Sequence, residues 1–200
     1  MESSHSRRKR RLWRRPPPPK LRAMERHARG LTLLEMLVAL LSLAVLATIA
    51  VPLCRQLLLE ARMVAAVNGF VHAIHLARVT AASEARDVVV CRSLDALRCA
   101  PAGDWTSGWL VFVNRDGDDP AVVDPDEPVL AVSQPLPLAS VRSNRRAYAL
   151  HPFALRASNG TVVFCDARGP VQARAVIVSY SGRPRLSRVA ADGRPLTCPA

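Results

Sequence analysis

From Met36 to Cys54 the chain carries no charged residue, and leucine, valine, alanine and isoleucine dominate. A helix rises about 1.5 Å per residue, so roughly 20 such residues cross a bilayer. After Arg55 the apolar positions thin into a stripe, Leu57, Val64, Val67, Val71 and Ile74, at helical spacing. Arg55, Glu60, Arg62 and Arg78 are predicted to face elsewhere. The pattern predicts one long helix from Leu31 to about Ser83, apolar all round in its first half and one-sided in its second. Pro52 falls inside it, where proline marks a kink. Beyond Asp87 the period changes to short β-branched runs: Val88–Cys91, Trp109–Val113, Val129–Val132, Thr161–Cys165 and Ala175–Tyr180. Turn pairs separate them, among them Asp116-Gly117, Asn159-Gly160 and Ser181-Gly182. Helix first and strands afterwards predict an α+β fold, with the one-sided half of the helix on an antiparallel sheet. Four segments follow: a basic leader (1–30), an apolar helix of transmembrane length (31–54), its amphipathic continuation (55–83) and a β-rich domain (84–200).

The entrance to the apolar run reads Arg29-Gly30-Leu31-Thr32-Leu33-Leu34-Glu35. A carboxylate at the edge of a membrane span is costly and functional by default. This stretch resembles the class III signal of type IV pilins and type II secretion pseudopilins. The resemblance implies that a prepilin peptidase cuts after Gly30 and that Leu31 becomes an N-methylated N-terminus. It implies too that Glu35, fifth in the mature chain, pairs with the terminal ammonium of a neighbouring subunit, since each charge in an apolar fibre core needs a partner. The plainer alternative is an ordinary signal anchor with Glu35 near the headgroups. An ordinary secretory signal would end in a small-residue cleavage site after the apolar region; here the helix continues and the anchor is retained. Met24 is a candidate for the true start, giving a short basic leader, because the Arg-rich segment and Pro16–Pro19 before it cannot support a core.

The formal net charge of +12 belongs mostly to the leader, whose residues 1–30 hold 11 Lys/Arg and 2 Asp/Glu. That excess holds the N-terminal end in the cytoplasm and sends the C-terminal domain to the periplasm. Cysteine usage agrees with an oxidising compartment. Cys91 and Cys99 are close enough for a small loop, and Cys165 with Cys198 would tie the C-terminus to a strand; this is the expected pairing. Four cysteines nevertheless allow three pairings, and the sequence does not choose among them. Cys54 is left over as an apolar filler. No CxxC pair and no convergent histidines support a zinc site, and His72 and His75 read as surface residues.

The second half sharpens the resemblance. The strand ending in Cys91, then Cys99, then Trp105-Thr106-Ser107-Gly108-Trp109 leading into Leu110-Val111-Phe112, resembles the FimT/GspH-type minor pilins. So do Phe164-Cys165-Asp166 and Ile177-Val178-Ser179 before a Gly-Arg turn. The resemblance implies a filament subunit and peptidase substrate, not an enzyme, and no catalytic constellation emerges from the residues. No resident cofactor is expected. Asn114–Asp119 with Asp124, Asp126 and Glu127 gathers oxygen ligands, but it lacks the spacing and closing glutamate of an EF-hand; a solvated acidic hairpin is preferred to calcium in this 114–127 loop.

Charge is unevenly shared. Residues 31–141 carry 7 basic and 12 acidic side chains, whereas residues 142–200 carry 10 arginines and 2 aspartates. Such a basic face attracts phosphate. Gly182-Arg183-Pro184-Arg185 resembles the GRxR motif associated with DNA binding in FimT-like pilins of competent bacteria. Arg183 and Arg185 at alternate positions would clamp backbone phosphates without reading bases, joined by Arg188, Arg145 and Arg146. No aromatic is counted beside them, which argues against base stacking. The bland reading is a strand edge kept soluble by cations. Two functions remain: a DNA-binding minor pilin of a type IV uptake pilus, serving transformation, and a structural GspH-like pseudopilin of a type II secretion system with protein partners only.

Overall fold

A computed structural model describes residues 32–152 and 157–199. The leader with Met24, Gly30 and Leu31 lies outside the described residues, as does Arg156. The chain divides into two units, Met1–Val45 and Leu46–Ala200.

In the first unit the described residues are the start of helix α1, Leu33–Glu84. The Thr32 hydroxyl accepts the Glu35 N–H at 3.2 Å, satisfying one of the free donors of the first turn. Glu35 itself stands in that first turn, where a carboxylate favours the positive end of the helix. Every described side chain before Leu59 is exposed, so α1 begins as a solvent-facing apolar rod. It is long and apolar enough to cross a membrane.

In the second unit α1 becomes one-sided, along a stripe that contains the expected Val67 and Ile74 but is otherwise made of different residues. The buried positions are Met63, Ala66, Val67, Phe70, Ala73, Ile74, Ala77 and Ala81. Val64 and Val71 flank this line, and Leu57 is 62% exposed. A pattern of large apolar residues leaves out the alanines, yet small residues let a helix sit close on a sheet. Glu60 also departs from expectation: it faces the β-domain and pairs with Arg168 and Arg174.

Eight strands follow: β1 Asp87–Arg92, β2 Trp109–Asn114, β3 Val129–Val132, β4 Ser140–Ser143, β5 Ala147–Leu150, β6 Gly160–Cys165, β7 Arg174–Val178 and β8 Pro184–Ser187. They form two antiparallel sheets in place of the single one expected, ordered β3-β2-β1-β5 and β4-β6-β7-β8. Strand alternation sends Val88, Val90, Val111 and Val113 of the first sheet, and Val162, Phe164, Val176 and Val178 of the second, into one core with the helix stripe. The opposite faces are covered as well. Val89, Cys91, Leu110 and Phe112 pack under Cys99, Ala121 and Val123, and Cys165, Ala173 and Ala175 pack under Leu196. Burial on both faces explains why β1 and β2 read as unbroken apolar runs.

Phe70 is the hub of the core. Its ring meets Trp105, Trp109, Tyr148 and Phe164 edge-on, at centroid distances of 5.7, 5.4, 5.7 and 6.1 Å. Each such pair contributes about 0.5–1.5 kcal/mol beyond burial. Disulfides Cys91–Cys99 and Cys165–Cys198 staple the two outer layers, and Cys54 is free and exposed. Every buried side chain among the described residues lies between Met63 and Leu196. Residues 55–200 therefore hold every buried side chain among the described residues and both disulfides, as an independently folding domain requires.

Candidate nucleic-acid interface

The β7–β8 connection is a tight hairpin loop, Tyr180-Ser181-Gly182. The Gly182 N–H donates to the Ser179 carbonyl at 2.9 Å, and the Ser179 N–H donates to the Arg183 carbonyl at 3.1 Å. Gly182 takes φ +67°, the left-handed conformation that closes a three-residue hairpin loop. A Cβ there would lie 2.8 Å from Leu150 Cδ1 and 3.7 Å from Arg78 Cδ. Glycine is thus needed twice, for its φ and for the close seat of the turn. Ser179 Oγ fixes the turn further, accepting the Arg183 N–H at 3.2 Å.

Two exposed arginines leave this turn along β8. Pro184 lies opposite Val178 and Leu186 opposite Val176, so those two continue the inner face. Arg185, opposite Ile177, belongs to the outer face, with Arg183 two residues before it. Proline is tolerated at the first position of an edge strand because it withholds only an N–H the ladder does not need. Arg78, on α1, lays its stem against Gly182 from the helix side. Helical spacing placed Arg78 away from the stripe; only the fold reveals where it goes.

Arg145 and Arg146 occupy the β4–β5 connection. Gly160 permits this loop to approach, since a Cβ there would meet Asn144 Oδ1 at 2.7 Å and Arg145 Cγ at 2.8 Å. Arg145 donates through Nε to the Asn159 carbonyl at 2.8 Å and through Nη2 to Asn159 Oδ1 at 3.1 Å. The register Gly160↔Val178↔Pro184 puts Asn159 and Arg183 at the same end of the second sheet. Two strand spacings separate them, about 10 Å. Arg146 lies near Arg92, whose pKa is pushed down by burial and then by the Arg146 charge. A groove of about 540 Å³ passes Arg145 and Arg146 and has Asp118 and Asp119 in its lining. Arg188 is not brought to this end: it follows the far end of β8 on the bend Ser187–Val189.

Three further arginines of residues 142–200, Arg168, Arg174 and Arg194, are engaged. Arg168 and Arg174 share Glu60, Arg168 also holds Asp166, and Arg194 pairs with Asp192. Burial pushes the Asp166 carboxyl up, but the hydrogen bonds from Arg168 outweigh it and hold the group below the usual range. Among the described residues Arg55, Arg62, Arg78, Arg86, Arg92, Arg115, Arg142, Arg145, Arg146, Arg183, Arg185 and Arg188 have no ion-pair partner. The unpaired set contains all five arginines singled out by the sequence.

One expectation is overturned. The run Ala175–Tyr180 reads as a strand to its end, which hid an aromatic beside the motif. The strand stops at Val178, and Tyr180 stands in the turn itself, 66% exposed.

The acidic loop, by contrast, is occupied with its own backbone. Glu127 is buried and accepts the Arg115 N–H at 2.6 Å and the Asp124 N–H at 3.2 Å. Asp118 accepts the Val122 N–H at 2.9 Å and the Asn114 amide at 3.0 Å. Among the described residues no three carboxylate, histidine or cysteine groups are gathered as a metal would require.

Residues 66–182 match the family model described as type II transport protein GspH. Two crystal structures of the type IV minor pilin FimU from Pseudomonas aeruginosa PAO1 also compare with the chain, each at 17% identity. One has a TM-score of 0.46 over 62% of this chain and 90% of that one. The other has 0.48 over 64% and 90%. The search of curated proteins returned no match. The matched segment covers more than half of the chain, from the buried stripe of α1 to the Gly182 turn, and on it the chain belongs to the GspH family of minor pilins and pseudopilins.

Proposed function

We infer that this chain is a minor pilin of a type IV pilus that binds exogenous DNA, without sequence preference, for natural transformation. Members of its family are structural subunits that assemble with other pilins in a fibre, and they are not enzymes. The observation that carries the DNA reading is the division among the arginines. Those facing Glu60, Asp166 and Asp192 are neutralised, while Arg183 and Arg185 leave one fixed turn without an ion-pair partner, and Arg78 lies against Gly182 from the helix side. Guanidinium groups held this way fit phosphate oxygens and carry no base readout. Arg145, held by Asn159, and Arg146 extend the positive end about 10 Å across the sheet, on the order of three base steps of 3.4 Å. Arg188 contributes only along a strand that runs the length of β8. The test is binding of residues 55–200 to unrelated duplexes: weak, similar affinities that fall steeply with salt support the reading.

The second reading is a structural pseudopilin of a type II secretion system, favoured by the description of the family model itself. It forecasts negligible DNA binding at physiological salt and normal DNA uptake in a strain with the Gly182 turn altered.

The same proposal covers the N-terminal segment. The family and the apolar helix are consistent with anchoring in the inner membrane. Prepilin peptidase cuts after Gly30, Leu31 is methylated, and Glu35 guides fibre entry by pairing with a neighbouring N-terminus, with the β-domain periplasmic. Gly30→Ala leaves an uncleaved precursor on an immunoblot of membranes; normal processing of that variant removes the cleavage assignment.

A further inference from the structure

Seven aromatic side chains lie among the described residues, and six of them, Phe70, Trp105, Trp109, Phe112, Tyr148 and Phe164, are buried. Tyr180 is the exception at 66% exposure, and its position is the tip of the arginine-bearing turn. Turn positions favour Gly, Asn, Asp, Ser and Pro, because small polar residues complete the backbone there. A large ring at such a site gains little for folding, since most of its surface stays in water. Beside it, Gly182 locks the backbone and Ser179 Oγ binds Ser181 Oγ at 2.9 Å and the Arg183 N–H at 3.2 Å. The ring therefore rises from a fixed turn three residues before Arg183, with Arg185 two residues further along the chain and Arg78 against Gly182.

We propose that Tyr180 is a stacking platform for an unpaired base and that the site takes single-stranded DNA in preference to duplex. The proposal rests on the DNA reading above and names its substrate class. Its chemistry is that of a backbone clamp combined with an aromatic face: the arginines hold successive phosphates, and the base between them, free of a complementary strand, lies on the ring. Every base has a π-face, so the contact adds affinity without sequence preference. A duplex offers the arginines the same phosphates but keeps its bases stacked on each other, out of reach of Tyr180. The ring is too exposed to belong to the core, and the carboxylates nearest in sequence, Asp166 and Asp192, are already paired with Arg168 and Arg194.

The experiment is fluorescence anisotropy of residues 55–200 with a labelled 20-mer of thymidylate and with a 20-base-pair duplex, at one fixed salt concentration. The single strand binds about tenfold more tightly in the unaltered protein. Tyr180→Ala removes that preference and leaves duplex affinity unchanged, whereas Tyr180→Phe keeps it, because the ring and not the hydroxyl carries the contact. A single strand carrying 5-iodouracil crosslinks under light to Tyr180, located by mass spectrometry. Equal affinities for the two ligands, or single-strand affinity untouched by Tyr180→Ala while Arg183→Gln with Arg185→Gln weakens both, overturn the stacking proposal alone. No binding to either ligand overturns the DNA reading with it. A Tyr180→Ala protein that binds DNA normally but fails to enter fibres assigns the ring to a protein contact and also overturns the proposal.

Discussion

In the β2–β3 connection the charged groups are turned onto the backbone; in the β7–β8 turn they are left to solvent. Glu127 closes its loop by accepting two N–H groups, and Asp118 accepts from Val122 and Asn114. Arg183 and Arg185 hold nothing inside the protein, and their turn is closed by backbone bonds and Ser179. Both segments are rich in charge, so composition alone would rank them alike as ligand sites. Geometry separates them: polar atoms consumed in holding a loop together are unavailable to a partner, while charges on a turn that is rigid without them are free to bind.

The sharpest way to break this comparison is to remove a group from each side. Glu127→Ala removes the carboxylate that holds the part-buried Arg115 and Asp124 N–H groups and costs about 1.5–3 kcal/mol, measured as a lower urea midpoint. An unchanged midpoint would reduce the acidic loop to surface decoration. Gly182→Ala comes next. It forces an alanine to φ +67° and drives its Cβ towards Leu150, at a cost of about 1–2 kcal/mol, read by the same titration. That variant also weakens DNA binding, because the arginines lose their fixed base. Smallest is the double substitution Arg183→Gln with Arg185→Gln. Both side chains are exposed and lack ion-pair partners, so stability changes by less than about 0.5 kcal/mol. A larger loss would show that these arginines serve the fold.

Much of this was legible in the chain. The apolar run, the change of period after Asp87 and five of the eight strands follow from side-chain type alone. The strands that escaped, β4, β5 and β8, are short and carry Arg142, Arg185 or alanine where a strand pattern needs bulk. Their pairing is decided by partners distant in sequence. The helix stripe was displaced by a similar effect: Ala66, Ala73, Ala77 and Ala81 make close contact that a search for large apolar residues overlooks. Of the candidate site, the arginines of the Gly182 motif were readable because glycine and alternating cations have local signatures. Arg78 was not, because it reaches the turn across more than 100 residues of sequence. Tyr180 was misplaced because Ser179 and Tyr180 continue the β-type pattern beyond the point where the ladder ends. The pairing of Arg174 with Glu60 lay equally out of reach, and it is what separates the neutralised arginines from the free ones.

That separation is tested most directly by the salt dependence of DNA binding. The observed binding constant of residues 55–200 for a duplex is measured across a salt series, for the unaltered protein and for Arg183→Gln with Arg185→Gln. Each phosphate contact contributes about 0.9 to the slope of log K against log salt, so losing two lowers its magnitude by about 1.8. Replacing Arg194, already held by Asp192, leaves the slope where it was. A steep slope that the double variant leaves untouched, or no binding by the unaltered protein at physiological salt, would contradict the account.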